Sequence, residues 1–104
     1  MHVQNRAIVR ARITFLSPAK GGRSTLPELS PAEGKPGYRP HLVVEGTSEY
    51  LGVRFVDGSI PHVDIPGEFS LELAYPEVDY SPVKTGARFT IREGNRIVAT
   101  GEVL

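Results

Sequence analysis

Several short stretches of the chain alternate between apolar and polar side chains. In residues 7–16, the apolar Ile13 and Phe15 flank the polar Thr14, and the same alternation of apolar and polar side chains continues toward the start of the stretch. A period of two is typical of a β-strand with one face in a core. No window of a dozen residues keeps the apolar period near 3.6 that a helix requires. The pattern predicts six strands, at residues 7–16, 41–45, 50–56, 69–75, 88–92 and 96–103.

The alternation also predicts which side chains meet in the interior. We expect one common core to contain Phe15, Val43, Phe55, Leu71, Phe89 and Ile91. The alternation also predicts that Phe69, Leu71, Leu73 and Tyr75 share one face of the fourth strand, and that Ile97, Ala99, Gly101 and Val103 share one face of the sixth.

Glycine and proline residues separate the predicted strands. Gly94-Asn95 is typical of a tight hairpin turn, since both residue types tolerate positive φ. Asp57-Gly58 and Pro66-Gly67 are two further turn signals. Residues 17–37 are rich in both residue types and form a long predicted loop, a feature that is usually functional or mobile. Six short strands in one domain spanning residues 1–104 favour a barrel or a sandwich, and only a barrel leaves no open edge.

Composition narrows the class of protein. The chain has no cysteine, which excludes disulfides and thiolate metal sites. No apolar run approaches the roughly 20 residues that span a bilayer, so no membrane partner is expected. Arg10 and Arg12 interrupt what would be the apolar core of a signal peptide, so we expect a cytoplasmic location.

The charges balance overall but are unevenly distributed. Residues 1–40 hold seven basic and two acidic residues, whereas residues 41–104 hold five basic and ten acidic residues. This asymmetry is consistent either with ordinary surface charge or with a basic face for an anionic partner. A strong non-specific nucleic-acid binder is normally basic overall, and this chain is neutral.

Sequence motifs for catalysis are lacking. There is no Walker-type phosphate loop and no Gly-x-Ser-x-Gly nucleophile motif. His62-Val63-Asp64 offers two metal ligands without a third, which is a weak metal signal. Glu72 with Glu68 or Glu77 could form a carboxylate pair, but such residues are more often on the solvent face of a strand. We therefore expect a protein that is not an enzyme, with no metal and no cofactor.

The hairpin at residues 92–96 has two interpretations. Its arginines, Arg92 and Arg96, flank a turn that carries Glu93. The first interpretation is a solvated turn with cross-strand charge compensation. The second is a recognition tip, because glycine amides and arginine can approach phosphate while a carboxylate can accept a hydrogen bond from ribose.

Four motifs in order along the chain resemble the C-terminal domain of elongation factor Tu. The longest is residues 86–104, where Gly-Ala-Arg-Phe-Thr-Ile-Arg-Glu-Gly-Asn-Arg is similar to the end of that factor. The others are Gly21-Gly22-Arg23-Ser24-Thr25 with the preceding Leu16-Ser17, Gly37-Tyr38-Arg39-Pro40, and Pro66-Gly67-Glu68. The resemblance covers residues 7–104.

The resemblance implies a fold and a partner. Its matched part is the factor's third domain, a closed six-stranded antiparallel β-barrel that helps to hold the T-stem of tRNA; the GTPase domain is not matched, so no GTPase activity is implied. By resemblance, nucleic-acid binding is expected at Arg23, Arg39, Glu93 and Gly94. His41 replaces the family's usual glutamine, and residues 46–52 depart from its threonine-rich stretch.

Two functions follow as expectations. The first is a non-catalytic, translation-linked binding module whose partner is tRNA or another structured RNA. The alternative is a protein-interaction domain, bound to a protein partner or to further copies of itself, with no role in RNA binding.

Overall fold

The fold was obtained as a computed structural model, which describes residues 7–27 and 37–104. Six β-strands form within them, as the alternating pattern predicts. The strands are β1 (Ile8–Phe15), β2 (His41–Val44), β3 (Leu51–Gly58), β4 (Gly67–Leu73), β5 (Arg88–Glu93) and β6 (Arg96–Val103). The long predicted loop contains one short 3-10 helix, Pro18–Lys20, and its residues 28–36 lie outside the described part of the chain.

The six strands close into an antiparallel barrel in the order β1-β4-β3-β2-β5-β6. Closure is made by β1, which pairs with β4 on one side and with β6 on the other. Because every strand has two neighbours, none of them is left as an open edge. The prediction of an all-β, closed six-stranded barrel is confirmed.

The barrel interior is filled mainly by aromatic and branched side chains. Phe15, Phe55 and Phe69 meet there, with ring centroids 5.6–6.0 Å apart and mostly tilted or edge-to-face geometry. Five of the six expected core residues belong to this cluster: Phe15, Phe55, Leu71, Phe89 and Ile91.

Val43 is the exception, and its placement in the common core was wrong. Leu42 and Val44 on either side of it face the core, so strand alternation turns Val43 to the outer face. It is nonetheless buried, because it lies in a cleft on that face, opposite Thr90 of β5. The Leu-Val-Val run offers no polar residue to mark its orientation, which explains the error.

The alternation expected along β6 holds only in part. The register between β5 and β6 shifts between Ile91 and Arg92, where a bulge adds a residue on the β6 side. Beyond the shift, Val98 occupies the core and Ile97 is 37% exposed. A single inserted residue reverses which side chains face inward, and simple alternation cannot anticipate it.

The fourth strand differs from expectation in two respects. Tyr75 was expected to share a face with Phe69 and Leu71, but it lies beyond the end of β4 and is exposed, whereas they are buried. Glu72 and Ser70 face outward as predicted, but they are buried rather than solvated. Arg54 covers Glu72 in an ion pair of 2.8 Å, and Arg10 donates a hydrogen bond of 2.7 Å to Ser70. The carboxylate is therefore part of a structural ion pair.

The antiparallel strands define two ends of the barrel. At the hairpin end, β5 turns into β6 at Gly94-Asn95, and the segments 16–27 and 59–66 lie at the same end. The far end carries the connections 45–50 and 74–87.

Candidate functional site

Two of the four residues expected to bind nucleic acid are bonded to each other. Arg23 donates a hydrogen bond of 2.8 Å from Nη1 to Oε2 of Glu93, and Tyr38 donates one of 2.5 Å to the same oxygen. Arg23 also donates from Nε to the carbonyl oxygen of Thr25 at 2.8 Å. We call Arg23, Tyr38 and Glu93 the clamp. It joins three segments that are far apart in the sequence.

The clamp shifts the pKa of each of its members. Hydrogen bonding to Glu93 is the main reason why the pKa of Arg23 lies above its ordinary value. Burial, followed by the hydrogen bond to Glu93, raises the pKa of Tyr38. Burial alone would raise the pKa of Glu93, but the hydrogen bonds from Tyr38 and Arg23 and the nearby positive charges outweigh it, so this pKa lies below its usual range. The ionised carboxylate is therefore the form that the fold holds.

The hairpin tip is anchored from the other side as well. Gly94 adopts φ +62° in the predicted two-residue turn and is exposed. Arg96 donates to the carbonyl oxygens of Gly21 and Gly22 at 3.0 and 2.8 Å. Gly22 must lack a side chain, since a Cβ there would lie 1.9 Å from the carbonyl oxygen of Leu16. These contacts and the clamp fix the segment 16–27 against the hairpin.

The fourth expected residue, Arg39, lies in a different place. The chain runs extended beside β3 here, because Phe55 and Val53 donate backbone hydrogen bonds to Tyr38 and Pro40. Neighbouring residues of an extended segment point to opposite sides. Tyr38 consequently packs on Phe55, while Arg39 lines an outer cleft whose lining includes none of Arg23, Glu93 and Gly94.

A larger cleft of about 620 Å³ lies on the outer face of β1, β6, β5 and β2. Strand register builds its floor in two rows. One row, across all four strands, consists of Thr14, Thr100, Thr90 and Val43. The neighbouring row places Arg12 and Arg88 on either side of Glu102. Arg92 also lines the cleft, and we call it the arginine cleft.

The arginines of the arginine cleft differ in whether their guanidinium groups already have a partner in the protein. Arg12 forms a long ion pair with Glu68, with 3.9 Å between the nitrogen and the oxygen. Within residues 7–27 and 37–104, the guanidinium of Arg88 has no hydrogen bond and no ion pair. The threonine row adds hydroxyl groups that can donate to phosphate oxygens. The cleft therefore offers positive charge and hydroxyl groups that are free to bind an anionic ligand.

Arg92, which lines this cleft, also contacts the first of two neighbouring aromatic side chains that are not part of the lining. The guanidinium of Arg92 lies 5.5 Å from the ring centroid of Tyr50 and donates to its hydroxyl at 3.3 Å. The ring of His41 meets Tyr50 edge to face at 5.7 Å. Arg92 is further fixed by a hydrogen bond of 3.0 Å to Thr90. We call His41, Tyr50 and Arg92 the stack. Tyr50 is 41% exposed, so an aromatic surface is presented to solvent.

The sequence analysis did not single out Arg12, Arg88 or Tyr50 as binding residues. A usable signal was present, because Arg88-x-Thr90-x-Arg92 and Arg12-x-Thr14 place basic and hydroxyl side chains on the polar face of two strands. Their meeting in one cleft depends on strand order and register, which are non-local.

A search against models of known protein families finds no match to the chain. In residues 7–27 and 37–104, no helix is long and apolar enough to cross a membrane. In the same ranges, no three histidine, aspartate or glutamate side chains form a group that could hold a metal ion.

Proposed function

We propose that this protein is a non-catalytic module that binds structured RNA in the arginine cleft, with bases or ribose groups packing on the stack. The observation that carries the proposal is the position of Arg92: it lines the cleft together with the free guanidinium of Arg88, and it also holds the exposed ring of Tyr50. RNA-binding surfaces combine these features, since aromatic and guanidinium planes stack on bases while cations follow the phosphates.

The resemblance to the third domain of elongation factor Tu supports the same class of ligand and a link to translation. The proposal assigns roles that differ from those carried over by resemblance. Arg23 and Glu93 act as positioning residues, because their polar groups bind each other, and the clamp holds the hairpin that follows Arg92. Gly94 supplies the exposed turn. The cytoplasm is the compartment proposed for such a partner.

The expected affinity is modest. The chain has no net charge, and Glu45 and Glu102 lie in the same cleft as the three arginines. Non-specific complexes have dissociation constants of about 10⁻⁴ to 10⁻⁶ M at physiological salt. If three cations contact phosphates, the logarithm of the association constant falls with the logarithm of salt with a slope of about −2 to −3.

The test is titration of a labelled RNA hairpin, and of the DNA hairpin of the same sequence, at low salt. Tyr50→Ala removes the stacking surface and is expected to weaken RNA binding by about 1–3 kcal/mol for each base stacked on it. Arg92→Ala is expected to have a similar effect. Arg39→Ala is the matched control, because it removes an equivalent charge from the other cleft.

The result that contradicts the proposal is equally specific. Absence of RNA binding by the unaltered protein at low salt would overturn it. Equal weakening by Arg39→Ala and Arg92→Ala would show that charge alone, and not the stack, accounts for binding.

A protein-interaction role is the alternative, and a different observation favours it. Residues 59–66 expose three branched aliphatic side chains at the hairpin end. Of this loop, only Pro66 lines the arginine cleft, so the two surfaces are nearly separate.

A further inference from the structure

The floor of the arginine cleft contains a row in which positive and negative side chains alternate. Strand register places Glu102 of β6 directly opposite Arg12 of β1 on one side and directly opposite Arg88 of β5 on the other. Directly opposed residues on neighbouring antiparallel strands lie on the same face of the sheet, with Cβ atoms about 4.5–5.5 Å apart. We call Arg12, Glu102 and Arg88 the charge row, and all three line the cleft.

The carboxylate of Glu102 keeps its hydrogen-bonding capacity although two arginines flank it. In the part of the chain that the structure describes, its side chain forms no ion pair and accepts no hydrogen bond. Arg12 instead makes its long ion pair with Glu68, which faces it from β4 on the other side. An ionised carboxylate only accepts hydrogen bonds, and its two oxygens have room for about four of them. The fold therefore leaves this acceptor available to a ligand.

The position of Glu102 restricts which anionic ligands fit the cleft well. Like charges repel, so a carboxylate between two arginines weakens the attraction of the cleft for every polyanion. A phosphodiester has no proton to donate, and so it cannot replace the hydrogen bonds that water makes to the carboxylate. The favoured ligand is one that brings a hydrogen-bond donor between two anionic groups, because a polar group that loses water without a new partner costs free energy.

The backbone of an RNA strand has this arrangement. Each ribose lies between two phosphates, and its 2′-hydroxyl can donate a hydrogen bond as well as accept one. The backbones of Arg12 and Arg88 are two strand spacings apart, about 9–10 Å, and Glu102 lies between them. The order positive, negative, positive therefore matches phosphate, ribose, phosphate. A DNA strand has the two phosphates but no donor at the 2′ position.

We propose that Glu102 accepts a hydrogen bond from a ribose 2′-hydroxyl while Arg12 and Arg88 hold the phosphates on either side of that ribose. Glu102 is thereby the residue of the arginine cleft that selects RNA over DNA. This inference rests on the proposed function, because it states how the same cleft recognises its ligand. Glu93 of the hairpin is not available for this contact, since its carboxylate already accepts hydrogen bonds within the clamp.

The neighbours of Glu102 support this role better than those of Glu45, the other carboxylate of the cleft. Glu45 follows the end of β2, and its backbone donates a hydrogen bond of 2.8 Å to the carbonyl oxygen of Arg88. It therefore has an arginine of the cleft on one side, whereas Glu102 has one on each side. Thr100, two residues before Glu102 on the same face of β6, adds a hydroxyl that can donate to a phosphate oxygen.

An RNA hairpin and its 2′-fluoro counterpart separate hydroxyl donation from shape. Fluorine at the 2′ position keeps the sugar conformation of RNA and is close to a hydroxyl in size, but it cannot donate a hydrogen bond. The unaltered protein is expected to bind the RNA hairpin about threefold to tenfold more tightly at low salt, the ratio that corresponds to one hydrogen bond.

Glu102→Ala and Glu68→Ala are a matched pair of variants. Both remove a carboxylate that faces Arg12 from a neighbouring strand, but of the two only Glu102 lines the arginine cleft. Each variant is expected to bind both hairpins more tightly than the unaltered protein, because less negative charge opposes the phosphates. Glu102→Ala is expected to bind the two hairpins equally, whereas Glu68→Ala keeps the preference of the unaltered protein.

Glu102→Gln provides a conservative variant. Its amide oxygen still accepts a hydrogen bond but carries no charge, so part of the preference for the 2′-hydroxyl is expected to return. Circular dichroism of each variant shows that it is folded.

The possible failures point to different conclusions. Absence of RNA binding by the unaltered protein would refute the proposed function and this inference together. RNA binding with equal affinity for the two hairpins would refute the role of Glu102 alone. The same conclusion follows if Glu102→Ala retains the preference, or if Glu68→Ala loses it to the same extent.

Discussion

The clamp and the stack contain the same kinds of residues but differ in what their polar groups do. In the clamp, the guanidinium of Arg23 and the hydroxyl of Tyr38 both donate to Glu93. In the stack, Arg92 lies on Tyr50 with no carboxylate between them, and the ring remains exposed. An arginine and a tyrosine that face a carboxylate hold the fold, whereas the same pair without one can hold a ligand.

This difference between the clamp and the stack limits what a sequence resemblance can say about function. A motif specifies which residue occupies a position but not whether its polar atoms are available. Arg23 and Glu93 are two of the residues that the resemblance alone predicts to bind nucleic acid, yet here they satisfy each other. Availability has to be established from distances, and the following predictions test it.

The largest effect is expected in β5, the strand that carries both Arg92 of the stack and Glu93 of the clamp. Phe89 is buried in the core, and its ring lies over Gly101, where a Cβ would approach it within 2.6 Å. Phe89→Ala is expected to lower the free energy of unfolding by about 3–5 kcal/mol, because it creates a cavity. Urea denaturation followed by circular dichroism measures the change. A loss below about 1 kcal/mol would mean that Phe89 is not a core residue.

The second effect separates the clamp from the stack. Glu93→Ala leaves Tyr38 and Arg23 without their acceptor, so it is expected to cost about 1–3 kcal/mol of unfolding free energy. Glu102→Ala is the control, because Glu102 has no ion pair or hydrogen bond from its side chain in the described ranges. A surface change of this kind costs within about 0.5 kcal/mol. Equal costs for the two variants would contradict a structural role for the clamp.

The third effect is a dependence of stability on pH. The folded-state pKa of Glu93 lies below its ordinary value of 4.5, so the unfolded chain binds the proton more tightly. The stabilisation by Glu93 is therefore complete above about pH 4.5 and is lost as the pH falls through the lower, folded-state pKa. Thermal unfolding between pH 6 and about pH 2.5 is expected to show this decline. Glu93→Gln is expected to flatten it, and an identical decline in that variant would assign the effect to other carboxylates.

The smallest effect concerns the salt dependence of RNA binding. Arg88→Ala is expected to make the slope of log association constant on log salt shallower by about 1, because one phosphate contact is lost. Arg39→Ala is expected to leave the slope unchanged. Filter-binding titrations at several salt concentrations measure both slopes. If the two variants shift the slope equally, the arginine cleft is not the phosphate-binding surface.

Local patterns predicted most of the fold. Alternation predicted five of the six strands and five of the six proposed core residues, because each of those strands has one apolar and one polar face, and a short apolar run predicted β2. It failed at Val43, where three apolar residues in a row hide the orientation, and at Ile97, where a bulge reverses it.

The candidate site was less predictable than the fold. Arg12, Thr100 and Thr90 become neighbours only through the register of three strands, and the stack needs β2 and β5 to pair across half the chain. The separation of Arg39 from Arg23 arises because Arg39 follows Tyr38 in an extended segment and so points to the other side. Residue type could be read from the sequence, but these neighbours could not.

Closure of the barrel by β1 also governs how the molecule reaches its native state. Phe15 near one extreme of the described chain pairs with Ala99 near the other, so the ring of strands cannot close until distant segments have met. Bringing such segments together costs loop-closure entropy before any contact offsets it, and all-β domains of this type fold in about milliseconds to seconds. A chain that still lacks β6 leaves both β1 and β5 with an unpaired edge, and during that interval it is exposed to pairing with other unfolded chains.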